Sequence, residues 1–263
     1  MIDKTNVEAV YPLTPMQQGM IFHCMQAPGS GYYILQGRCV LKGELDVANF
    51  RKAWQAIIDR HAVLRTAFAT GKKMAQVALR KVEVPLREED WREVPETRHE
   101  ELMQGYQQQD RERGFDFSEA PLMRLLLIRA SEDTYYFLCS YHHALLDGWS
   151  LAILLKELGH YYATYSRGEN KQVEQVRPFR DYIAWLQRQD SSSAETFWRR
   201  MLAGFDTPTP LPEVDLKRTE EECYERRYKT KAVEKALTAA LHDSTMGKCC
   251  VSRYLGTMTI STR

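Results

Sequence analysis

Long apolar runs are missing from this sequence. No window approaches the ~20 apolar residues that span a bilayer, so no transmembrane helix is predicted. The opening stretch, MIDKTNVEAVYPLTPMQQGM, has no apolar segment behind a basic start and does not read as a signal peptide. A charge excess of one sign is missing too. The 36 Lys+Arg offset 35 Asp+Glu, leaving +1 and a pI near 7.6, so there is no global basic field to hold nucleic acid. The 6 cysteines form no CxxC pair and have no His-rich partner spacing, which argues against a structural zinc site. Cys39 and Cys139 fall in apolar, strand-like runs and read as buried free thiols. No internal repeat is visible. These absences together predict a cytoplasmic, reduced protein without a membrane or nucleic-acid partner.

What is present is an ordinary globular composition, 44% hydrophobic and 27% charged, over 263 residues. At ~150 residues per domain that length allows one large or two modest domains. Thr14 and Gln17 have capping-box spacing ahead of a short helix over residues 15–23. A loop at 27–31 leads to a strand over 32–41. Asp46 reads as an N-cap, followed by Val47, Phe50, Trp54, Ile57 and Ile58 at helical spacing up to Arg60. Strands are expected from Thr66 and over 73–84, and a polar helix over 97–113 with Leu102, Met103 and Tyr106 inward. The runs 122–129 and 135–141 read as an antiparallel hairpin. Leu151, Leu154, Leu155, Leu158 and Tyr162 mark a further helix, with Gly168 as its C-cap. Short helices over 179–187 and 194–202, an extended proline-rich stretch over 207–212 and a helix over 232–242 complete the pattern. Met16, Met20 and Phe22 are expected in the core. Strands and helices without regular βαβ alternation predict an α+β sandwich.

The densest chemistry lies in Ser140-Tyr-His-His-Ala-Leu-Leu-Asp-Gly-Trp-Ser150. An apolar strand ends in His142 and His143, and a short loop leads through Asp147 and Gly148 into a helix. Adjacent strand residues face opposite ways, so one histidine faces a cleft while the other supports it. A histidine at a strand end, with an Asp fixing the loop, has the ingredients for acid–base work near neutral pH. Gly148 allows close backbone approach or a positive φ at the turn.

This HHxxxDG pattern resembles the condensation domains of nonribosomal peptide synthetases and, in part, chloramphenicol-acetyltransferase-like acyltransferases. Four further stretches resemble condensation-domain motifs in the same order. They are Tyr11-Pro-Leu-Thr-Pro-Met-Gln-Gln-Gly-Met-Ile-Phe-His23, Arg60-His-Ala-Val-Leu-Arg-Thr-Ala-Phe68, Phe115-Asp-Phe-Ser-Glu-Ala-Pro-Leu-Met-Arg124, and Asp181-Tyr182 with Trp185 ahead of Phe197-Trp198. The resemblance implies a chloramphenicol-acetyltransferase-like two-layer sandwich. It implies that His143 is catalytic, orienting an attacking amine or accepting its proton. The Gly148 amide becomes a candidate oxyanion donor. Asp147 is expected in an ion pair that shapes the loop, with Arg65 preferred to Arg60 as its partner. The implied reaction joins two thioesters presented on the phosphopantetheine arms of donor and acceptor peptidyl carrier proteins. Adjacent synthetase modules are further partners, and no cofactor is bound directly. The LTPMQQGMIFH opening resembles the subtype that accepts a D-configured donor.

A full condensation domain has two lobes and roughly twice this length. The resemblance therefore implies a complete first lobe over 1–168, a linker over 169–176, the start of a truncated second lobe over 177–243, and an atypical tail over 244–263. Such a chain is expected to have little condensation activity alone. Two other readings stand beside this one: a stand-alone CoA-dependent acyltransferase, and a non-catalytic carrier-protein-binding remnant.

Overall fold

A computed structural model describes residues 3–71, 73–169 and 176–207, together with the strands Tyr224–Tyr228 and Met258–Thr262. The apolar run ending in the paired histidines forms β7 (Thr134–His142), near the middle of the larger sheet. Numbered in chain order, its antiparallel neighbours are β2 (Ile34–Lys42), with Ile34 opposite His142, and β6 (Met123–Arg129), with Met123 opposite Tyr141. The expected hairpin is thus β6–β7. β5 (Leu86–Asp90) lies parallel to β6, while β9 (Met258–Thr262) and β8 (Tyr224–Tyr228) continue the sheet beyond β2. A smaller antiparallel sheet has the order β1 (Val7–Tyr11), β4 (Ala75–Leu79), β3 (Thr66–Ala69).

Strand alternation divides the core. Leu35, Leu41, Leu125, Leu127, Phe137 and Cys139 face α2 (Val47–Arg60) and α4 (Gly148–Ser166), packing on Phe50, Trp54, Ile57, Leu151, Leu154 and Tyr162. The alternate residues Leu126, Ile128 and Leu138 meet Trp91, just after β5, and Met103 of α3 (His99–Arg113) on the opposite face. The result is the α+β sandwich that the composition of elements predicts. Three helix ends are capped as their sequences require. Thr14 and Gln17 form a reciprocal capping box on α1 (Pro15–Gln26), Asp46 caps α2, and Gly168 follows α4 at φ +73°.

Some expectations change. β2 starts and ends later than the 32–41 reading, and the 73–84 strand contracts to β4. β1 and β5 are additional: β5 reads Leu-Arg-Glu-Glu-Asp, a charged sequence suited to the sheet edge it occupies. Met16 and Phe22 are exposed rather than in the core, because the inward stripe runs through Leu13, Gln17 and Ile21. Each of the two sits one position, about 100°, off that stripe. Met20 is partly buried. α5 (Phe179–Leu186) and α6 (Ser191–Met201) lie where short helices are expected, the second starting earlier because Asp190 caps it. The linker over 169–176 and the proline-rich stretch fall almost wholly outside the described residues, and the 232–242 helix wholly so. Within the tail expected to lack a terminal element, β9 pairs with β2 through Ile260 and Leu35.

Candidate active site

β7 ends at His142 and α4 begins at Gly148, so five residues carry the chain from sheet to helix. His142 is 2% exposed. The Ala144 N–H donates to its Nδ1 at 3.1 Å, which places the ring proton on Nε2. That nitrogen lies 3.4 Å from Cys24 Sγ, and Cys24 Sγ lies 3.5 Å from the Tyr32 carbonyl. Donors and acceptors therefore match in one direction: Nε2–H to sulfur, then S–H to carbonyl. The Phe117 ring meets the imidazole edge-on at 5.1 Å. Burial, with a smaller contribution from His143, pushes the His142 pKa down to about 4. Burial also pushes the Cys24 thiol up to about 11. The pair is a neutral imidazole and a neutral thiol, with no thiolate for nucleophilic attack.

His143 is half-buried and has the opposite tautomer. Its Nδ1 lies 2.7 Å from the Leu146 carbonyl, which can only accept, so Nδ1 carries the proton. In the neutral ring Nε2 then carries the lone pair, and no hydrogen bond to it is formed by a described residue. The backbone N–H of His143 donates to the Tyr33 carbonyl at 2.8 Å. The loop is further tied down by Gln17, whose Nε2 donates to the Ala144 carbonyl at 2.9 Å and to Gln76 Oε1 at 3.1 Å.

The expected ion pair between Asp147 and Arg65 or Arg60 is not formed. Asp147 is the N-cap of α4: its Oδ1 accepts from the Ser150 N–H at 2.7 Å and the Ser150 hydroxyl at 2.6 Å. Those bonds hold its carboxyl below the usual range, the hydroxyl contributing most. Arg65 Nη1 instead pairs with Glu8 Oε2 at 2.7 Å and bonds the Leu79 carbonyl, while its Nε donates to the Ile58 carbonyl at 3.1 Å. Arg60 Nε lies 3.2 Å from Glu157 Oε1, and His61 Nε2 lies 2.6 Å from Glu157 Oε2. Each arginine belongs to a brace within the fold, on β1–β4 or between α2 and α4. The sequence does carry a signal for the second brace. Glu157 falls three residues after Leu154 and four before Tyr161, placing a carboxylate on a buried stripe where it needs a partner.

Gly148 opens α4 without the positive φ that a glycine at the turn allows. Apart from its chain neighbours and its own helix, a Cβ there would meet none of the described residues within 4 Å. The fold itself does not demand the glycine, and the open side remains available for close approach. As the first helical residue, its N–H has no intrahelical acceptor. Among the described residues, no three His, Cys, Asp or Glu side chains converge as metal ligands would. No described helix is long and apolar enough to cross a membrane.

Residues 7–248 match the family described as "Condensation domain". A linear gramicidin synthase of Brevibacillus parabrevis is 41% identical over 213 residues, covering 80% of this chain and 3% of the synthase. Bacitracin synthase 3 of Bacillus licheniformis is 38% identical over 241 residues, covering 90% of this chain and 4% of the synthase. The fold matches the crystal structure of the starter condensation domain of rhizomide synthetase RzmA with TM-score 0.65 at 16% identity, over 78% of this chain and 52% of that one. The first condensation domain of the calcium-dependent antibiotic synthetase matches with TM-score 0.67 at 18% identity, over 78% and 51%. The chain thus spans about half the length of these solved domains and a small part of the synthetases. These relatives favour neither the stand-alone acyltransferase nor the non-catalytic remnant. With the family matched over most of its length, the chain belongs to the condensation-domain family of nonribosomal peptide synthetases.

Proposed function

We propose that this chain supplies the histidine-bearing half of a peptide-bond-forming site. The observation that carries the reading is the tautomer of His143: Nδ1–H is committed to Leu146, so Nε2 presents a lone pair at a half-buried position. In the proposed step, the amino group of an acceptor aminoacyl thioester attacks the carbonyl of a donor thioester. A C–N bond forms, the C–S bond breaks, and the departing thiolate receives the proton that the amine gives up. Nε2 of His143 orients that amine or carries its proton. The Gly148 N–H faces the developing oxyanion. His142 stays neutral and holds the loop. Both acyl groups arrive on the phosphopantetheine arms of donor and acceptor carrier proteins, with adjacent synthetase modules as partners and no cofactor bound by the chain itself. The resemblance of the opening motif supports a D-configured donor.

The solved relatives are about twice as long, so alone this chain lacks part of the surface that holds two arms together. Such positioning is worth up to about 7–11 kcal/mol of barrier. The test grafts residues 7–248 in place of the matching segment of a linear gramicidin synthase condensation domain. Loaded donor and acceptor carrier proteins are supplied, and dipeptide is measured by mass spectrometry. The graft is expected to form dipeptide, with a D-configured donor preferred, while the isolated chain forms little. His143→Ala in the graft is expected to lower the rate about 10²- to 10⁴-fold, the range of a lost acid–base group. An unchanged rate in His143→Ala refutes the assignment.

A further inference from the structure

Among the described residues, Tyr33 is the one non-glycine with a left-handed backbone, at φ 59°. It precedes Ile34, the first residue of β2 and the register partner of His142. The β2–β7 ladder therefore stops at the Ile34–His142 pair, and a single further bond follows, from the His143 N–H to the Tyr33 carbonyl at 2.8 Å. An extended Tyr33 would let the ladder run on and draw His143 into the sheet. The turn at Tyr33 keeps that one bond and releases the rest of the loop.

The turn is itself gripped by the last turn of α1. The Tyr33 hydroxyl lies 2.8 Å from His23 Nδ1, and the two rings stack at 15° with centroids 6.1 Å apart. Next to His23, Cys24 contacts both the Tyr32 carbonyl and His142 Nε2. The Ile34 N–H closes the turn onto the Gly31 carbonyl at 3.3 Å. His143 is consequently fixed at two points, its ring by Leu146 and its backbone by Tyr33.

We propose that Tyr33 is a positioning residue for His143, acting through its left-handed carbonyl and locked to α1 by His23. The functional meaning rests on the assignment of His143 to the amine, but the positioning itself can be read without turnover. The experiment is NMR on the full ¹⁵N-labelled chain, following hydrogen exchange at the His143 amide and the ring nitrogens of His143. Tyr33→Ile places a β-branched residue where φ must be positive, and Tyr33→Asn a residue that tolerates it. Tyr33→Ile is expected to lower His143 amide protection by about tenfold or more and to shift the ring toward mixed tautomers, while Leu127 in the core keeps its protection. Tyr33→Asn, which tolerates the left-handed turn but loses the stack and the hydrogen bond to His23, is expected to lose clearly less protection than Tyr33→Ile. Should Tyr33→Ile not fold, His23→Phe, which keeps the stack and loses the hydrogen bond, is expected to give a smaller change in the same direction. Parent-like His143 signals in Tyr33→Ile, or in His23→Phe where that variant stands in, overturn the proposal, as does equal loss in Tyr33→Asn and Tyr33→Ile. Inactivity of the graft alongside the expected NMR changes would sink the catalytic assignment and leave the positioning intact.

Discussion

His142 and His143 are chemically identical neighbours that the local hydrogen bonds drive to opposite tautomers. A backbone N–H aimed at Nδ1 makes one of them a donor at Nε2, and a carbonyl aimed at Nδ1 makes the other an acceptor there. The buried one also carries a pH signature. Its pKa is about 4 in the fold against an ordinary value of 6.5, so between those values the unfolded chain binds the proton that the folded chain refuses. Folding stability is therefore complete above about pH 6.5 and falls as pH drops toward 4, by about 3 kcal/mol if His142 acts alone. Asp147 runs in a different window. Its lowered pKa adds stability above its ordinary 3.8 that is lost only as pH falls through the folded value. Urea unfolding at pH 7, 6, 5 and 4.5 checks the first effect. His142→Gln, which cannot titrate, is expected to flatten the slope between about pH 6.5 and 4, whatever it does to stability at pH 7. An unchanged slope in His142→Gln would show that another group carries it.

At the scale of elements, α4 begins where it does because Asp147 caps it, and this replaces the ion pair expected from resemblance. Capping and pairing respond differently to substitution. Asn also caps helices, so Asp147→Asn is expected to keep stability within a few tenths of a kcal/mol, whereas Asp147→Ala loses about 1 kcal/mol. An Asp–Arg pair would be lost in both variants, and urea titration separates the two cases. The same element shows what a sequence makes legible. A cap is local: Asp147 and Ser150, Thr14 and Gln17, or Asp46 and Asn49 are three residues apart, and their bonds follow from that spacing. The apolar periods of α2, α4, β6 and β7 are legible for the same reason. Arg65 with Glu8 and Arg60 with Glu157 are separated by 57 and 97 positions; the buried stripe marks Glu157 as needing a partner, but nothing local says which arginine meets which acid. The tautomers of the two histidines were equally hidden, because Leu146 and Ala144 act through backbone atoms that every residue possesses. β1 and β5 escaped because short edge strands bury little, leaving weak alternation to read.

At the scale of the whole molecule, nearly all of the core among the described residues lies in the first 169, while α5 and α6 stand differently. Within α5, Ile183 is the one buried residue, and none of α6 is buried. Both helices are nonetheless strongly amphipathic in sequence, and their apolar faces carry Tyr182, Trp185, Phe197, Trp198 and Met201 to solvent, Trp198 at 58% exposure. Tilted and stacked rings join Phe179, Tyr182 and Trp185 in one set, and an edge-on contact joins Phe197 and Trp198 in another. Contiguous exposed aromatics of this kind mark surfaces that another surface covers, or that associate when it is absent. The isolated chain is therefore expected to self-associate with rising concentration. Phe197→Gln combined with Trp198→Gln should reduce that association without lowering the urea midpoint, because neither side chain contributes to the core. Sedimentation velocity across a concentration series gives the direct reading. A parent chain that stays monomeric throughout would mean these faces are tolerated by water, and association unchanged in the double variant would place the sticky surface elsewhere, with exposed Trp149 and Ile153 of α4 the next to replace.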